Sequence, residues 1–303
     1  MENGRIRRKS KGRPRLEESY PNLYDIIKII VNGHTYGNPE KVLSWTTLSL
    51  QKNKKSLQVG ESQPGRDEQF RFINDKAQSF IDEGEPVISV DTKKKENVGN
   101  FRNNGTEYRK IGDPREVCDH DFPHNLKAVP YGIYNLNNNT GFVNLGVSHD
   151  TAEFSVESIS RWWETVGRHT FPHAKKLMIT CDCGGSNGYR VRLWKYGLSE
   201  FAKRTGLIIH VSHFPQGTSK WNKIEHRLFC YISANWQGKP LIDIKTIVNL
   251  IGSTTTSTGL RVICQADESE YKLSQKVSDV QFRSINLIKI QPFESWNYII
   301  MPN

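Results

Sequence analysis

The apolar residues of this chain alternate between short continuous runs and longer stretches with helical spacing. The continuous runs predict strands at residues 86–91, 131–136, 141–147, 176–182 and 207–211. The helical spacing predicts helices near residues 67–83, 153–166, 188–205 and 222–236. From the first strand onward the order is β-β-β-α-β-α-β-α, in which the later strands connect through helices and are therefore parallel. The pattern predicts an α/β fold with a mixed sheet.

Three acidic residues lie where a strand ends or a helix begins. Asp91 ends the first strand, Asp182 ends the fourth, and Glu225 opens the last helix. Carboxylate oxygens suit Mg²⁺ or Mn²⁺, and a pair of such ions stabilises the attacking and leaving oxygens of a displacement at phosphorus. These are the positions of the metal carboxylates in a ribonuclease H-like fold, where central strands one and four are neighbours. The three acids therefore predict phosphoryl transfer on a nucleic acid.

Two of the acids also have a structural interpretation. Asp91 is placed to cap the end of a strand. Asn222, with Glu225 three residues later, has the spacing of a capping-box variant that stabilises a helix start. On spacing alone, the capping box is the favoured interpretation of Glu225.

Five cysteines are present, without a C-x-x-C pair, so neither a disulfide framework nor a structural zinc site is indicated. Cys181 and Cys183 flank Asp182 but lack the spacing of a tetrahedral zinc site. Alternation along the strand also sends Cys181 to the face opposite Asp182. Reduced bystander thiols are the favoured interpretation over zinc ligands.

The 303 residues carry a formal charge of +10. Such an excess favours a polyanionic partner, because Lys and Arg displace the counterions condensed on DNA. A merely soluble basic protein is the alternative. No apolar run is long enough to cross a bilayer, and the first residues lack the apolar stretch of a signal peptide. We expect a cytoplasmic, nucleoid-associated protein without a membrane partner.

The sequence divides into four predicted segments. Residues 1–15 form a basic disordered tail, and residues 16–66 form a short, mainly helical DNA-binding region and linker. Residues 67–253 form the catalytic domain, and residues 254–303 a C-terminal extension. The tail arginines, Arg5, Arg7 and Arg8 among them, are suited to phosphates or a minor groove, or else form a solvated tail. Within residues 16–66, one helix is predicted before a loop at 32–39 and a second, short one beginning near Pro39.

Several long blocks, in the right order, resemble the ISAzo13-type insertion-sequence transposases of the DDE group. The blocks are Val87-Ile88-Ser89-Val90-Asp91-Thr92-Lys93-Lys94-Lys95-Glu96, His149-Asp150-Thr151-Ala152-Glu153-Phe154, Gly184-Gly185-Ser186-Asn187-Gly188 and the segment from Pro215 to His226. The resemblance runs from about Leu16 to Tyr298. It implies Asp91, Asp182 and Glu225 as a catalytic triad that binds Mg²⁺, with Mn²⁺ as a substitute. It also implies cleavage and strand transfer at transposon ends, with DNA as partner and a homo-oligomer assembled on it.

Basic and aromatic residues near the triad are candidates for contacting DNA. They are Lys93, Lys94, Lys95, Lys220, Trp221 and Lys223. His213 and His226 bracket the loop before Glu225 and either contact phosphate or pack within that loop. Trp162 and Trp194 have helical spacing, so core packing is favoured over base stacking.

One departure from the family pattern leaves the function open to alternatives. The segment from Ser44 to Thr47 runs almost directly into the basic segment from Leu50 to Lys55, where the family has a helix-turn-helix portion. A degenerate transposase that binds DNA without transposing it is one alternative. A metal-dependent nuclease with the same ribonuclease H-like fold and ligands is another.

Overall fold

A computed structural model of the chain describes residues 65–107, 110–118, 126–218 and 221–302, together with two short strands before them. The chain divides into two compact units, residues 1–64 and 65–303. In the first unit, strand β1 (Thr35–Tyr36) pairs antiparallel with strand β2 (Trp45–Thr46). The predicted basic tail and the predicted helix before residue 32 lie outside the described residues, as does Pro39. The region predicted to be mainly helical is extended at Trp45–Thr46.

The second unit is built on one mixed sheet with nine strands in the described residues. They are β3 (Val87–Thr92), β4 (Glu96–Asn97), β5 (Lys127–Asn135), β6 (Thr140–Gly146), β7 (Lys176–Cys181), β8 (Ile208–His213), β9 (Arg261–Asp267), β10 (Leu287–Lys289) and β11 (Asn297–Ile300). The order is β10-β11-β8-β7-β3-β5-β6-β9, with β4 paired to β5. β7 is parallel to both β3 and β8, whereas β5 is antiparallel to β3 and β6. The predicted mixed sheet is confirmed, as is the neighbouring position of the first and fourth predicted strands.

The α-helices of the described residues are α1 (Arg66–Asp82), α2 (Ala152–Trp162), α3 (Arg168–Thr170), α4 (Arg192–Thr205), α5 (Cys230–Trp236), α6 (Ile244–Gly252) and α7 (Asp279–Arg283). Two π-helical turns, Trp163–Gly167 and Glu225–Phe229, lead into α3 and α5. The four predicted helices are found to within a few residues, as α1, α2, α4 and α5 with these two turns, and three further helices, α3, α6 and α7, were not predicted. In the described part of the chain, no helix is both long and apolar enough to span a membrane.

Apolar side chains cover both faces of the sheet, which gives three layers. Helices α2 and α4 bury Trp162 and Trp194 in the cluster on one face, where each side chain is at most 1% exposed. The preference for core packing over base stacking at these two tryptophans is confirmed. Helices α5 and α6 bury Trp236 and Ile247 in the cluster on the other face. The sheet is therefore packed between helices on both faces, and this packing fixes the positions of the residues at its strand ends.

Three strands of the sheet come from residues 254–303, for which no elements were predicted. β9 lies parallel to β6 at one edge, and β11 lies antiparallel to β8 near the other. The sheet thus continues across the predicted boundary between residues 253 and 254. The predicted domain boundaries themselves stay predictions.

A buried polar network ties β9 to α2. The carboxylate of Asp267 accepts hydrogen bonds from Tyr271 Oη (2.7 Å), Asn144 Nδ2 (3.0 Å) and Arg161 Nη2 (2.9 Å). Burial raises the pKa of Asp267, but these hydrogen bonds outweigh burial, so its pKa lies below the ordinary value. The carboxylate therefore stabilises the fold above its unfolded-state pKa of about 4, and this contribution is lost as the pH falls through the lower folded-state pKa.

Asp267→Asn is expected to lower the free energy of unfolding at pH 7 by roughly 1.5 to 3 kcal/mol, because charge-assisted hydrogen bonds are lost. Urea unfolding from pH 7 down to pH 2 measures the effect. The free energy of unfolding of the native chain should fall by this amount as the pH drops below about 4. The free energy of unfolding of the variant should fall less over the same pH range. The same loss of unfolding free energy at low pH in both chains would contradict the stabilising role of the Asp267 carboxylate. The exposed Asp75→Asn on α1 is the matched control.

Candidate active site

The sheet register places Asp91 and Asp182 side by side. Val90 on β3 is paired with Cys181 at the end of the parallel strand β7, and Asp91 and Asp182 are the residues that follow them in the chain. Neighbouring strands lie about 4.8 Å apart, so both carboxyl groups start from adjacent backbone positions at one edge of the sheet. Each side chain is only partly exposed. Thr92 N–H donates to Asp91 Oδ1 (2.8 Å) and restrains that carboxylate.

Glu225 approaches this edge on the π-helical turn Glu225–Phe229. Gly132 on β5, the register partner of Asp91, makes the approach possible. A Cβ at Gly132 would lie 2.4 Å from the Phe229 ring and 2.8 Å from Ile224 Cδ1. Only glycine therefore lets the turn pack this closely against the sheet beside Asp91. π-Helical turns of this kind frequently occur at functional sites.

A pair of buried polar side chains joins the segments that carry the three acids. Asn222 Nδ2 donates to Asp182 Oδ1 and to the Val90 carbonyl, both at 3.3 Å. Asn222 Oδ1 accepts from the Ser89 hydroxyl, which in turn accepts from Ile224 N–H (3.1 Å). Both polar atoms of the Asn222 side chain are thus bonded to β3 and Asp182, which is not the arrangement of a capping box with Glu225. Asn222 instead links β3, the end of β7 and the turn that carries Glu225.

Burial raises the pKa of all three carboxylates, and nearby carboxylates raise the pKa of Asp91 and Asp182 further. Burial, followed by the charge of Asp182, raises the pKa of Asp91 to about 8, and Glu225 adds to that rise. Burial and Glu225 raise the pKa of Asp182 to about 6, against the hydrogen bond from Asn222. Burial also raises the pKa of Glu225, while His226 and Lys93 lower it. The site therefore concentrates negative charge that a cation would relieve.

The donor set fits a divalent hard cation, although the side chains do not surround one position. All three candidate ligands offer carboxylate oxygens, and their mutual repulsion favours positive charge between them. Within the residues that the structure describes, no three His, Cys, Asp or Glu side chains form a group able to hold a metal ion. Asp91, Asp182 and Glu225 share an electrostatic site, and their joint coordination of metal stays a prediction.

A fourth carboxylate, Asp150, lies near Asp91 and is not among the predicted site residues. Its Oδ1 accepts from the Thr92 hydroxyl (3.2 Å), and its charge contributes to the raised pKa of Asp91. The helix cap itself is Thr151, whose hydroxyl accepts from Phe154 N–H (3.2 Å). Only the folded structure shows that Asp150, the residue before this cap, reaches the site.

Behind the site, a buried chain of hydrogen bonds leads from the core to the backbone of Asp182. The Asp182 carbonyl lies 2.9 Å from His213 Nδ1, so this nitrogen carries the proton. His213 Nε2 then accepts from Tyr298 Oη (3.1 Å), which accepts from Trp194 Nε1 (3.1 Å). Burial lowers the pKa of His213 to about 4, which keeps this imidazole neutral. His213 is thus packed in the interior, while His226 is exposed beside Glu225.

Tyr298→Phe removes only the hydroxyl at the centre of this chain. It leaves Trp194 Nε1 and His213 Nε2 without their partner, so we expect unfolding free energy to fall by about 2 kcal/mol. DNA cleavage is expected to fall about 10-fold, as for other groups that orient a site residue. Chemical denaturation and a cleavage time course measure the two effects. Tyr196→Phe on the same protein is the control, and equal stability of both variants would contradict the network.

The cations predicted to contact DNA differ in their surroundings. Lys93 Nζ pairs with Glu96 Oε1 (2.9 Å) and lies 4.6 Å from the centre of the Trp236 ring, so it is largely buried. Lys94, Lys95 and Lys223 are exposed. Trp221 is partly exposed, with its ring edge-on to Phe70 at 5.8 Å. Lys220, like Arg5, Arg7 and Arg8, lies outside the described residues.

The two thiols beside Asp182 differ in burial. Cys181 lies in the core with its Sγ 3.3 Å from His213 Nδ1, and burial raises its pKa well above the ordinary value. Burial and the charge of Asp182 raise the pKa of Cys183 to about 12. Both sulfurs therefore stay protonated thiols at neutral pH in this structure.

Residues 40–302 match the family described as the Rhodopirellula transposase DDE domain. A comparison with curated proteins gives no match. Among solved structures, the chain is similar to the Mos1 transposase paired-end complex with left transposon end, at 11% identity and a TM-score of 0.42. The Mos1 strand transfer complex and the Mos1 mariner paired-end complex with Mn each give 11% identity and a TM-score of 0.40. These matches cover 77% of this chain but only 62% or 63% of the Mos1 chain, less than two thirds of its length.

Proposed function

We propose that this chain, which belongs to the ISAzo13-type family of DDE transposases, catalyses metal-dependent cleavage and strand transfer of DNA at the ends of an insertion sequence. The observation that supports the proposal is the register of β3 with β7, which sets Asp91 beside Asp182, together with the charge of Glu225, which raises the pKa of both aspartates. DNA is the partner that the basic charge and the family support.

The reaction is a displacement at a DNA phosphodiester. An oxygen of water, and later a DNA 3′-hydroxyl, forms the new bond to phosphorus while the bond to the leaving 3′-oxygen breaks. The proton of the attacking hydroxyl is released, and the leaving oxygen is protonated. No bond between protein and DNA forms in this scheme, so the chain's contribution is positioning and electrostatic stabilisation.

Asp91, Asp182 and Glu225 would hold the divalent metal, Mg²⁺ in the cell with Mn²⁺ as a substitute. When bound, the metal supplies Lewis-acid stabilisation of charge on the reacting oxygens. Asn222 holds Asp182 through its hydrogen bond at 3.3 Å, and His213 holds the backbone of the same residue. Lys94 and Lys223 are exposed and offer positive charge to phosphates of the bound DNA. Assembly as a homo-oligomer on two element ends is part of the proposal.

The test is incubation of the purified chain with DNA that carries the native element ends and Mg²⁺. Nicked ends and joined products are expected, and EDTA should abolish both. Binding without nicks or joined products would favour the degenerate transposase. Cutting of RNA or branched DNA, without preference for the ends and without joined products, would favour the nuclease.

A further inference from the structure

Two clefts that share a wall extend from Glu225 along helix α5. The first, of about 500 Å³, is lined by Glu225 and His226. The second, of about 780 Å³, is lined by Lys95, Arg102 and Lys127. Both are also lined by Lys93, Lys94, Cys230 and Ser233. They therefore form one groove, here called the lysine groove, which begins at a candidate catalytic carboxylate.

Positive charge dominates the lysine groove beyond Glu225. Its second cleft is lined by five Lys or Arg side chains and by a single carboxylate, Glu96, which already pairs with Lys93. Lys94, Lys95 and Arg102 are exposed, and none of them forms an ion pair within the described part of the chain. A row of exposed cations leading away from a site for phosphodiester chemistry matches the repeat of charges on a nucleic acid backbone.

The far end of the groove offers a ring and amides as well as charge. Phe101, which is partly exposed, lines the second cleft, as do Asn104 and Gln237. An aromatic face binds an unpaired base by stacking, and amides bind base edges, whereas a paired strand shows only its backbone to such a groove. The combination fits a single strand better than a duplex.

We propose that the lysine groove binds one unpaired DNA strand, the continuation of the strand whose phosphodiester is cut beside Glu225. Lys94, Lys95 and Arg102 neutralise phosphates of that strand, and Phe101 stacks on one of its bases. The position of the cut phosphodiester rests on the proposed function. Binding of an unpaired strand in the groove is measured without any cleavage.

The test compares a blunt duplex of arbitrary sequence with an extended probe. The extended probe is the same duplex with a single-stranded extension of about 10 thymidines, made in two forms with the extension at the 5′ or at the 3′ end. Fluorescence anisotropy without divalent metal gives the affinity for each. The variant Lys94→Ala/Lys95→Ala/Arg102→Ala should bind the extended probe on the order of 10²-fold more weakly near 0.1 M salt and lose at least ten times less affinity for the blunt probe. For the extended probe, the slope of log K against log salt concentration should become shallower by about 2 in this variant. Each lost contact with a single-strand phosphate removes about 0.7 from that slope.

The matched control neutralises three exposed cations elsewhere, Lys272→Ala/Lys276→Ala/Arg283→Ala, and should leave both affinities unchanged. A second variant, Phe101→Leu, should weaken binding of the extended probe on the order of 10-fold. It should have no effect when the extension is abasic.

Three results would overturn the proposal: equal affinity of the native chain for both probes, equal losses on both probes in the groove variant, or the same loss in the control. An RNA extension bound in preference to DNA would overturn the choice of partner. If the extension effect holds but no DNA is cut with Mg²⁺, the proposed function fails and the groove stands. If element ends are cut but the extension adds no affinity, the groove fails and the function stands.

Discussion

Asp182→Asn is expected to reduce metal-dependent DNA cleavage by on the order of 10³-fold or more while DNA binding is retained. The metal supplies several kcal/mol of stabilisation to the transition state, and each 1.4 kcal/mol is a factor of ten in rate. The amide keeps the shape of the side chain and an oxygen facing Asn222, but it removes the negative charge that the cation requires. Cleavage of DNA with element ends, and anisotropy on the same DNA, measure the two effects.

The exposed Asp75→Asn on α1 serves as the control, because it removes the same charge away from the sheet edge. It should cut DNA at the native rate. A fully active Asp182→Asn variant would remove Asp182 from the mechanism. Loss of DNA binding together with cleavage would show that the carboxylate acts on assembly of the complex and not on the chemical step.

The order of the central elements followed from the sequence because the central strands are buried on both faces. β3 and β7 are continuous apolar runs, and every residue of β3 up to Val90 is buried. Their parallel pairing followed from the helical connections, so the proximity of Asp91 and Asp182 was predictable. Edge strands gave no such signal. β9 alternates irregularly between buried and exposed residues, and β10 has only three residues, two of them exposed.

The details of the site depended on contacts that local spacing does not report. Ser89 and Asn222 are 133 residues apart in the chain, and their hydrogen bond exists only once β3 and the turn before α5 are packed together. The local pattern from Asn222 to Glu225 indicated a helix cap instead. Gly132 was likewise unremarkable in sequence, although its missing Cβ admits Phe229 beside Asp91. The geometry of this site depends on contacts between residues that are distant in sequence, whereas the assignment of a segment as helix or strand depends on residues close in sequence.

Asn222→Ala is expected to lower DNA cleavage by about 10- to 100-fold and the free energy of unfolding by about 1 to 3 kcal/mol. The substitution removes the donor that orients Asp182 and leaves the buried Ser89 hydroxyl and Val90 carbonyl without their partner. A steady-state cleavage assay at increasing Mg²⁺ and urea unfolding without metal measure the two effects. Asn249→Ala, at an exposed position on α6, is the control.

The Mg²⁺ concentration needed for cleavage distinguishes a role of Asn222 in orienting Asp182 from a role in stability alone. If Asn222 orients Asp182, the variant should need more Mg²⁺ for half-maximal cleavage, and saturating Mg²⁺ should restore part of the rate at a temperature where the protein is fully folded. Ser89→Ala should shift the Mg²⁺ requirement in the same direction, because Ser89 holds both Asn222 and Ile224 N–H. An unchanged Mg²⁺ requirement in both variants would leave the Ser89–Asn222 pair a structural link alone. A shared increase would instead show that one hydrogen-bonded pair sets the relative placement of the segments that carry the three acids.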